Sequence, residues 1–367
     1  MTSHSRSGPG LLSLLPLLPL APLAAPLAML AVGAFVLSGC AAGALSAQEG
    51  QRKVAGRVFV VTGASSGFGR GVALKLGGYG GHVVLAARRA AVLEEVAAQV
   101  RAAGGQALVV PTDVASPEEM QRLAEAAVAR FGRIDAWINN AGVSAIGPFE
   151  DVPLEDHARI VDVNLKGVIH GSHVALRQFR RQGHGVLVNL GSVESQVPLP
   201  YHASYAATKH AILGLDKALA QELRLSGARD IHVTTVMPWG VDTPFWDHAG
   251  NDSGRSPRMV ALDGPEQTVD AIVWAAIHPG REMPVGWKAR GALLSHQIWP
   301  GLAERVAANI AHRAQMEDAP PAGDRPGSLH EPMAEGVGVG GTTRARMERE
   351  DAARGGAVEA VRLGAHG

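Results

Sequence analysis

Cysteine is almost missing from this sequence: Cys40 is the only one in 367 residues. An internal disulfide framework is therefore excluded, and so is a zinc cluster built on thiolates. An excess of charge of one sign is missing too. The 34 basic residues balance 34 acidic ones, which gives no electrostatic reason to expect nucleic acid as a partner. Aromatic residues make up 4% of the chain, and only three of them are tyrosines, Tyr79, Tyr201 and Tyr205. The 15 histidines are scattered, with no His-Glu-x-x-His or similar ligand spacing, so no metal site is expected. What is abundant is apolar: 46% hydrophobic against 19% charged, a globular composition with room for one large domain or two small ones.

Part of that apolar content sits at one end. Residues 11–37 are Leu- and Ala-rich and long enough to span a bilayer, although Pro16, Pro19, Pro22 and Pro26 make a poor helix. The run closes in Leu37-Ser-Gly-Cys40, which resembles the lipobox of bacterial lipoproteins, with Arg6 the one firm positive charge ahead of it. Three readings stay open for residues 1–50: a lipoprotein signal anchored at Cys40, an uncleaved membrane anchor, and an upstream extension with no export role. Arg52, Lys53 and Arg57 follow the run and, by the positive-inside rule, favour a cytoplasmic position for the domain behind them. At the other end, residues 317–367 are rich in Gly, Ala, Pro and mixed charge and poor in large apolar side chains. That composition predicts a disordered tail, with room for a short helix near Thr343–Val361. The catalytic unit is expected over residues 51–316.

Within that unit, Arg57-Val-Phe-Val-Val-Thr-Gly63 is a short apolar run of the kind that forms a buried parallel strand. It breaks into Thr62-Gly63-Ala-Ser65-Ser66-Gly67-Phe68-Gly69 and resumes with helical spacing to Leu76. Glycines at 63, 67 and 69 permit a tight strand-to-helix turn and let backbone amides approach a pyrophosphate at the helix N-terminus. The next run, His82–Ala87, ends in Arg88-Arg89, where the adenosine ribose of a dinucleotide meets such a sheet. An acid there would hold the 2′-hydroxyl of NAD; arginine suits a 2′-phosphate, so NADP is favoured over NAD. A third run ends in Asp113-Val114, with Asp113 placed to contact adenine or to cap the helix starting near Ser116. A fourth ends in Asn139-Asn140-Ala141-Gly142, small enough to let the backbone lie against a nicotinamide ribose. Strands alternating with helical stretches predict an α/β, doubly wound parallel sheet.

The second half offers acid–base chemistry. A free phenol has a pKa of about 10 and is a poor proton donor or acceptor at neutral pH. Lys209, four residues beyond Tyr205, shares its helix face, and its ammonium should pull the phenol down towards working pH. Ser192 follows the buried-strand pattern Gly185–Leu190, where a hydroxyl could polarise a substrate carbonyl. Asn164 lies inside a helical pattern that does not favour it, so something should be using its amide. Residues 244–262, with Phe245, Trp246, His248 and Met259, read as a mobile substrate lid for a substrate with some hydrophobic bulk. Leu294, Ile298, Leu302, Val306 and Ile310, spaced by four, predict an amphipathic helix over Leu293–His312. It would pack on the domain or a neighbouring subunit, with contact to a membrane surface second.

In this order and at these spacings, Thr62-Gly63-x-x-x-Gly67-x-Gly69, Asp113, Asn139-Asn-Ala-Gly142, Asn164, Ser192, Tyr205-x-x-x-Lys209 and Pro238…Thr243 resemble the short-chain dehydrogenases/reductases. The resemblance covers residues 54–290. It implies a Rossmann-like sheet of seven parallel strands, helices on both faces, and a cofactor at the carboxyl ends of the strands. It implies hydride transfer between NADP(H) and a carbonyl or secondary alcohol, with Tyr205 as general acid/base and Ser192 hydrogen-bonded to the substrate oxygen. Lys209 would tune Tyr205 and bond the nicotinamide ribose, and Asn164 would hold a water linking the lysine to solvent. The cofactor contacts carried over are Thr62, Gly63, Ser65, Ser66, Gly67, Phe68, Gly69, Arg88, Arg89, Asp113, Val114, Asn140, Ala141, Gly142, Tyr205, Lys209, Pro238 and Thr243. No metal is needed, and a homo-oligomer is expected. The family usually has Pro-Gly where this chain has Pro238-Trp239-Gly240, so the backbone beside the nicotinamide departs from the pattern. Two other readings stay open. One is a catalytically idle nucleotide-binding sensor, which would need none of Asn164, Ser192, Tyr205 and Lys209. The other is a nucleotide-sugar epimerase, disfavoured by the glycine spacing and the short C-terminal region.

Overall fold

The computed structural model describes residues 45–364, with side chains described to residue 354. Residues 11–37 and Cys40, on which the signal and anchor readings rest, lie outside the described residues. Among the described residues nine strands form: β1 (Val58–Thr62), β2 (His82–Ala87), β3 (Gln106–Pro111), β4 (Ala136–Asn139), β5 (Ala145–Ile146), β6 (Gly185–Leu190), β7 (Ile231–Met237), β8 (Gly250–Asn251) and β9 (Glu282–Pro284). Seven of them make one sheet in the order β3-β2-β1-β4-β6-β7-β9, parallel throughout. The expected seven-stranded, doubly wound sheet is therefore present. β5 and β8 pair separately.

Unbroken apolar runs become central strands because both faces of the sheet are covered. Every residue of β1 is buried. Phe59 and Val61 face one core with Leu85, Ile138 and Val188, and Val58 and Val60 face the other with Val84, Trp137 and Leu187. After a short first helix, Ala47–Val54 (α1), helices Gly67–Gly78 (α2), Ala90–Ala102 (α3) and Glu266–Ile277 supply the first core; Pro117–Phe131, Gly167–Gln182 and Ala203–Leu225 supply the second. Chain order reverses between β1 and β4, which opens a crevice at their carboxyl ends.

Two expectations need correction. The helix expected over Leu293–His312 is two helices, Gly286–Ile298 and Pro300–His312, broken at Trp299 (φ −137°, ψ 72°). Proline disfavours helical backbone in the residue before it, and the four-residue spacing runs straight across that break. The tail expected to be disordered packs on the domain instead. Leu329 is 0% exposed, within the second core, and Val339 lies against the first. A closing helix, Thr343–Gly364, is held by Arg258, whose Nη2 donates to the Met347 carbonyl at 3.0 Å and to Asp351 at 2.7 Å. Composition registers few apolar side chains here, but backbone carbonyls meeting arginines of the domain do much of the fastening. Among the described residues no helix is long and apolar enough to cross a membrane.

A polar chain runs through the second core. Trp137 Nε1 donates to Asn139, Asn139 to Asn189, Asn189 to Asp216 Oδ1 (2.6 Å), and Thr235 Oγ1 to Asp216 Oδ2 (2.6 Å). Burial pushes the Asp216 carboxyl up to about 6, against the pull of its bonds to Thr235 and Asn189. The folded protein thus keeps a proton that the unfolded chain releases near pH ~4. That contribution to stability is complete below the unfolded value and is lost as pH rises through about 6. Asp216→Asn, with the Thr235 hydroxyl reversing its role, is expected to flatten the fall in urea midpoint across this window. An unchanged slope would assign the pH dependence elsewhere.

Candidate active site

The crevice is built around the turn after β1. Gly63 sits at φ +66°, and a Cβ there would lie 2.9 Å from Ala141 Cα, so only glycine fits without displacing the neighbouring strand end. Thr62 Oγ1 accepts the N–H groups of Asn140 (3.0 Å) and Ala141 (3.1 Å), and Asn140 Nδ2 donates back to the Thr62 carbonyl at 2.9 Å. These bonds tie the two strand ends across the crevice. At Gly69 a Cβ would meet the Gly63 carbonyl at 2.3 Å, which keeps α2 tight against the turn. Ser66 starts α2 without a side-chain cap, leaving its first N–H groups for other acceptors.

The acid–base pair comes from helix Ala203–Leu225. Lys209 Nζ lies 5.3 Å from the Tyr205 ring centroid and donates to the Leu190 carbonyl at 2.6 Å. Ser192 follows β6; its Oγ accepts the Glu194 N–H at 3.1 Å, and its side chain hydrogen-bonds Tyr205. The net effect on the phenol is opposite to the one expected. Burial raises the Tyr205 pKa, Glu194 raises it further, and the Ser192 bond pulls it back only in part. The lysine responds to the same surroundings: burial lowers it to about 8, against the pull of Glu194. Desolvation therefore outweighs the ammonium in setting this phenol. Tyr205 keeps some open surface in the cleft.

Asn164 falls in a π-helical turn, Asp162–Lys166. Its Oδ1 accepts the Val143 N–H and its Nδ2 donates to the Val143 carbonyl, both at 2.8 Å. The widened turn points a fully buried amide at the loop backbone that follows Gly142. Asp113 accepts the Ala115 N–H at 3.0 Å and pairs with Arg159 at 2.6 Å. Burial would raise this carboxyl, but the Arg159 and Ala115 hydrogen bonds prevail and hold it below the usual value.

One cavity of about 230 Å³ collects most of the residues singled out in the sequence. Gly63, Ser65, Ser66, Gly67, Phe68, Arg88, Arg89, Asp113, Val114, Asn140, Ala141, Gly142, Ser192, Tyr205, Lys209, Pro238 and Thr243 all line it. Thr62, Gly69 and Asn164 stand behind its wall, acting on the lining through the contacts above. The segment over residues 244–262 does border it, but with its side chains turned in. Phe245 lies 5.6 Å from the Tyr205 ring, and Trp246, Met259 and Leu262 are buried. Trp239 has a buried Nε1 with no partner, and the displaced glycine is used one position later, where a Cβ at Gly240 would meet Met259 at 2.8 Å. A second, apolar cavity of about 410 Å³ shares Val193, His202, Trp239 and Met259 with the first, and its far wall is Leu302, Val306 and Ile310.

Residues 57–254 match the family described as short chain dehydrogenase. YxnA of Bacillus subtilis (strain 168), an uncharacterized oxidoreductase, is 34% identical over 272 residues, 73% of this chain and 76% of its own length. The chain belongs to the short-chain dehydrogenase family. A second relative of this short-chain dehydrogenase is the 3beta-hydroxysteroid dehydrogenase 1 of Eggerthella lenta, 35% identical over 229 residues, 60% of this chain and 87% of the relative. A short chain dehydrogenase/reductase from Burkholderia phymatum, solved in complex with NAD, superposes with a TM-score of 0.56 at 28% identity, covering 70% of this chain and 97% of its own. An alcohol dehydrogenase from Thermococcus sibiricus, complexed with 5-hydroxy-NADP, gives a TM-score of 0.54 at 25% identity, covering 62% and 94%.

Sequence reasoning missed three titratable residues that line this short-chain dehydrogenase's cleft: Arg159, Glu194 and His202. Glu194 is 6% exposed, with Oε1 3.3 Å from His202 Nδ1 and no partner for Oε2. An acid two positions beyond Ser192, between valine and serine, was the available signal. Arg159 had none, since its partner Asp113 lies 46 positions away.

Proposed function

We propose that this short-chain dehydrogenase transfers a hydride between NADP(H) and a carbonyl or secondary alcohol carrying hydrophobic bulk. The observation that carries the reading is the convergence of Ser192, Tyr205 and Lys209 with the glycine turn and the arginine pair on one cleft. Two features of the cleft support a dinucleotide: the turn at Gly63 and Gly69 has no room for a Cβ, and α2 opens without a side-chain cap. When bound, the nicotinamide supplies or accepts the hydride. Tyr205 gives the proton to the substrate oxygen in reduction and removes it in oxidation, while Ser192 donates a hydrogen bond where charge develops. Lys209 stabilises the phenolate so formed and would hold the nicotinamide ribose. Asn164, fixed on the Val143 backbone, would hold the water that links the lysine to solvent. Arg88 and Arg89 support a 2′-phosphate and hence NADP; the two solved neighbours hold an NADP derivative and NAD.

Phe245, Trp246, Met259 and Trp239 support the substrate's apolar character, in keeping with a relative named for a hydroxysteroid. Exposed Ile298, Leu302, Val306 and Ile310 support association of copies of the chain. Oxidation of NADPH and NADH with a panel of aldehydes and bulky ketones tests the reading; turnover with none of them, despite cofactor binding, would favour an idle nucleotide-binding protein. Glu194 gives a finer check. Its charge raises both Tyr205 and Lys209, so Glu194→Gln lowers both. The pH of half-maximal alcohol oxidation is expected to move downward, and a profile that stays in place would remove Glu194 from the tuning of the pair.

A further inference from the structure

The arginine pair assigned to the cofactor phosphate is already engaged, by the chain's own C-terminal segment. Arg88 Nη1 donates to the carbonyls of Leu329 (3.3 Å) and His330 (2.6 Å), and its Nη2 to that of Ser328 (2.5 Å). Arg89 Nη1 donates to the carbonyls of Met333 (3.0 Å) and Glu335 (3.1 Å), while its Nε and Nη2 hold Ser65 and Ser66. Further along the cleft, Arg70 Nη1 donates to the Val337 carbonyl at 2.7 Å. The first N–H of α2, that of Gly67, donates to the Gly338 carbonyl at 2.8 Å. The donors that would receive the phosphates of a dinucleotide are thus met in sequence by one stretch of backbone.

We propose that residues 326–342 form a strap that sets cofactor selectivity, because its carbonyls and a 2′-phosphate compete for Arg88 and Arg89. The inference rests on the dinucleotide reading above. A peptide carbonyl and a phosphate oxygen are both acceptors, so each guanidinium N–H serves one at the expense of the other. Carbonyl dipoles gathered on one guanidinium also present partial negative charge to an arriving dianion. A ribose 2′-hydroxyl is neutral and can itself donate to a carbonyl, so NAD(H) leaves the carbonyls at Arg88 and Arg89 in place; its pyrophosphate displaces only those of Val337 and Gly338, as that of NADP(H) also does. The strap therefore weakens NADP(H) binding selectively, and phosphate binding lifts it.

The anchoring suits a segment that lifts in its middle, between Leu329 in the second core and Val339 against the first. At one end Arg325 pairs with Asn251 through backbone bonds of 2.8 and 3.0 Å; at the other the Gly341 N–H donates to the Asp242 carbonyl at 3.0 Å. Between them, Gly336 at φ +67° passes so close to His248 that a Cβ would lie 2.4 Å from Nε2. At Gly327, φ +57°, a Cβ would meet the His248 carbonyl at 2.3 Å. Gly336→Val and Gly327→Val should each loosen the strap without touching the arginines or Tyr205.

Dissociation constants for NADPH and NADH, read by nicotinamide fluorescence in the full chain, are expected to tighten about tenfold for NADPH in either variant and to change less than about twofold for NADH. Hydrogen–deuterium exchange of the unmodified protein gives an independent reading that does not depend on the variants folding. NADPH should speed exchange across residues 328–335, which hold the carbonyls at Arg88 and Arg89, and NADH should not. Weaker or unchanged NADPH binding in folded variants, or protection of the strap by NADPH, would overturn the proposal, since the strap would then be a wall that closes on the cofactor. Failure of either dinucleotide to bind the unmodified protein would instead remove the oxidoreductase reading and this inference with it.

Discussion

Tyr205→Phe is expected to lower kcat about 10³-fold in both reaction directions, within the usual range for losing a general acid or base, while the Kd for NADPH changes less than about twofold. The split follows from what the substitution leaves in place. Phenylalanine keeps the ring that packs against Phe245 at 5.6 Å and His202 at 6.2 Å. Lys209 is held by the Leu190 carbonyl rather than by the phenol oxygen, so its position does not depend on the hydroxyl. Only the proton donor disappears. Single-turnover kinetics separate the two quantities, and a variant that retains a tenth or more of the activity would move proton transfer to another group, with the Glu194 and His202 pair next in reach. The unmodified enzyme should also show a break in its pH profile. Lys209 is lowered to about 8, so above that pH the cleft loses the charge that stabilises a forming phenolate, and carbonyl reduction should fall.

The second large effect is on cofactor choice. Arg88→Asp is expected to shift the NADPH-to-NADH ratio of kcat/KM by about 100-fold towards NADH, since it removes a charge-assisted bond and adds repulsion of the 2′-phosphate. The same change leaves the carbonyls of Ser328, Leu329 and His330 without their donor. The strap should loosen as a result, so NADH affinity is expected to hold or improve rather than fall. A ratio that does not move would place the phosphate elsewhere in the cleft.

How much of this was legible before folding differs residue by residue. The strand at Val58–Thr62 and the turn behind it could be read because burial on both faces and positive φ leave local marks: an unbroken apolar run, and glycine where a Cβ has no room. Tyr205 and Lys209 could be paired because a helix brings i and i+4 together whatever surrounds it. The direction of the Tyr205 shift could not be read. Helical spacing reports the ammonium, whereas the outcome depends on how much water the fold removes and on Glu194, which reaches the pair from another element. Pro300 was visible and should have divided the helix that the spacing of apolar residues carried across it.

The C-terminal segment marks the limit most plainly. Residues 317–367 have the composition of a chain that cannot bury enough of itself to order, and taken alone that reading is sound. Order comes instead from guanidinium groups just beyond β2, on α2 and in the loops meeting backbone carbonyls, which every residue possesses and no composition records. The sequence by itself determined the sheet, the glycine turn and the pairing of Tyr205 with Lys209, since each is written in spacings of four residues or fewer or in an apolar run. Only the tertiary structure decided what Arg88 and Arg89 hold, what charge sits beside Tyr205 and where the tail lies. Those outcomes depend on which groups distant in the chain compete for the same donors once water has been removed.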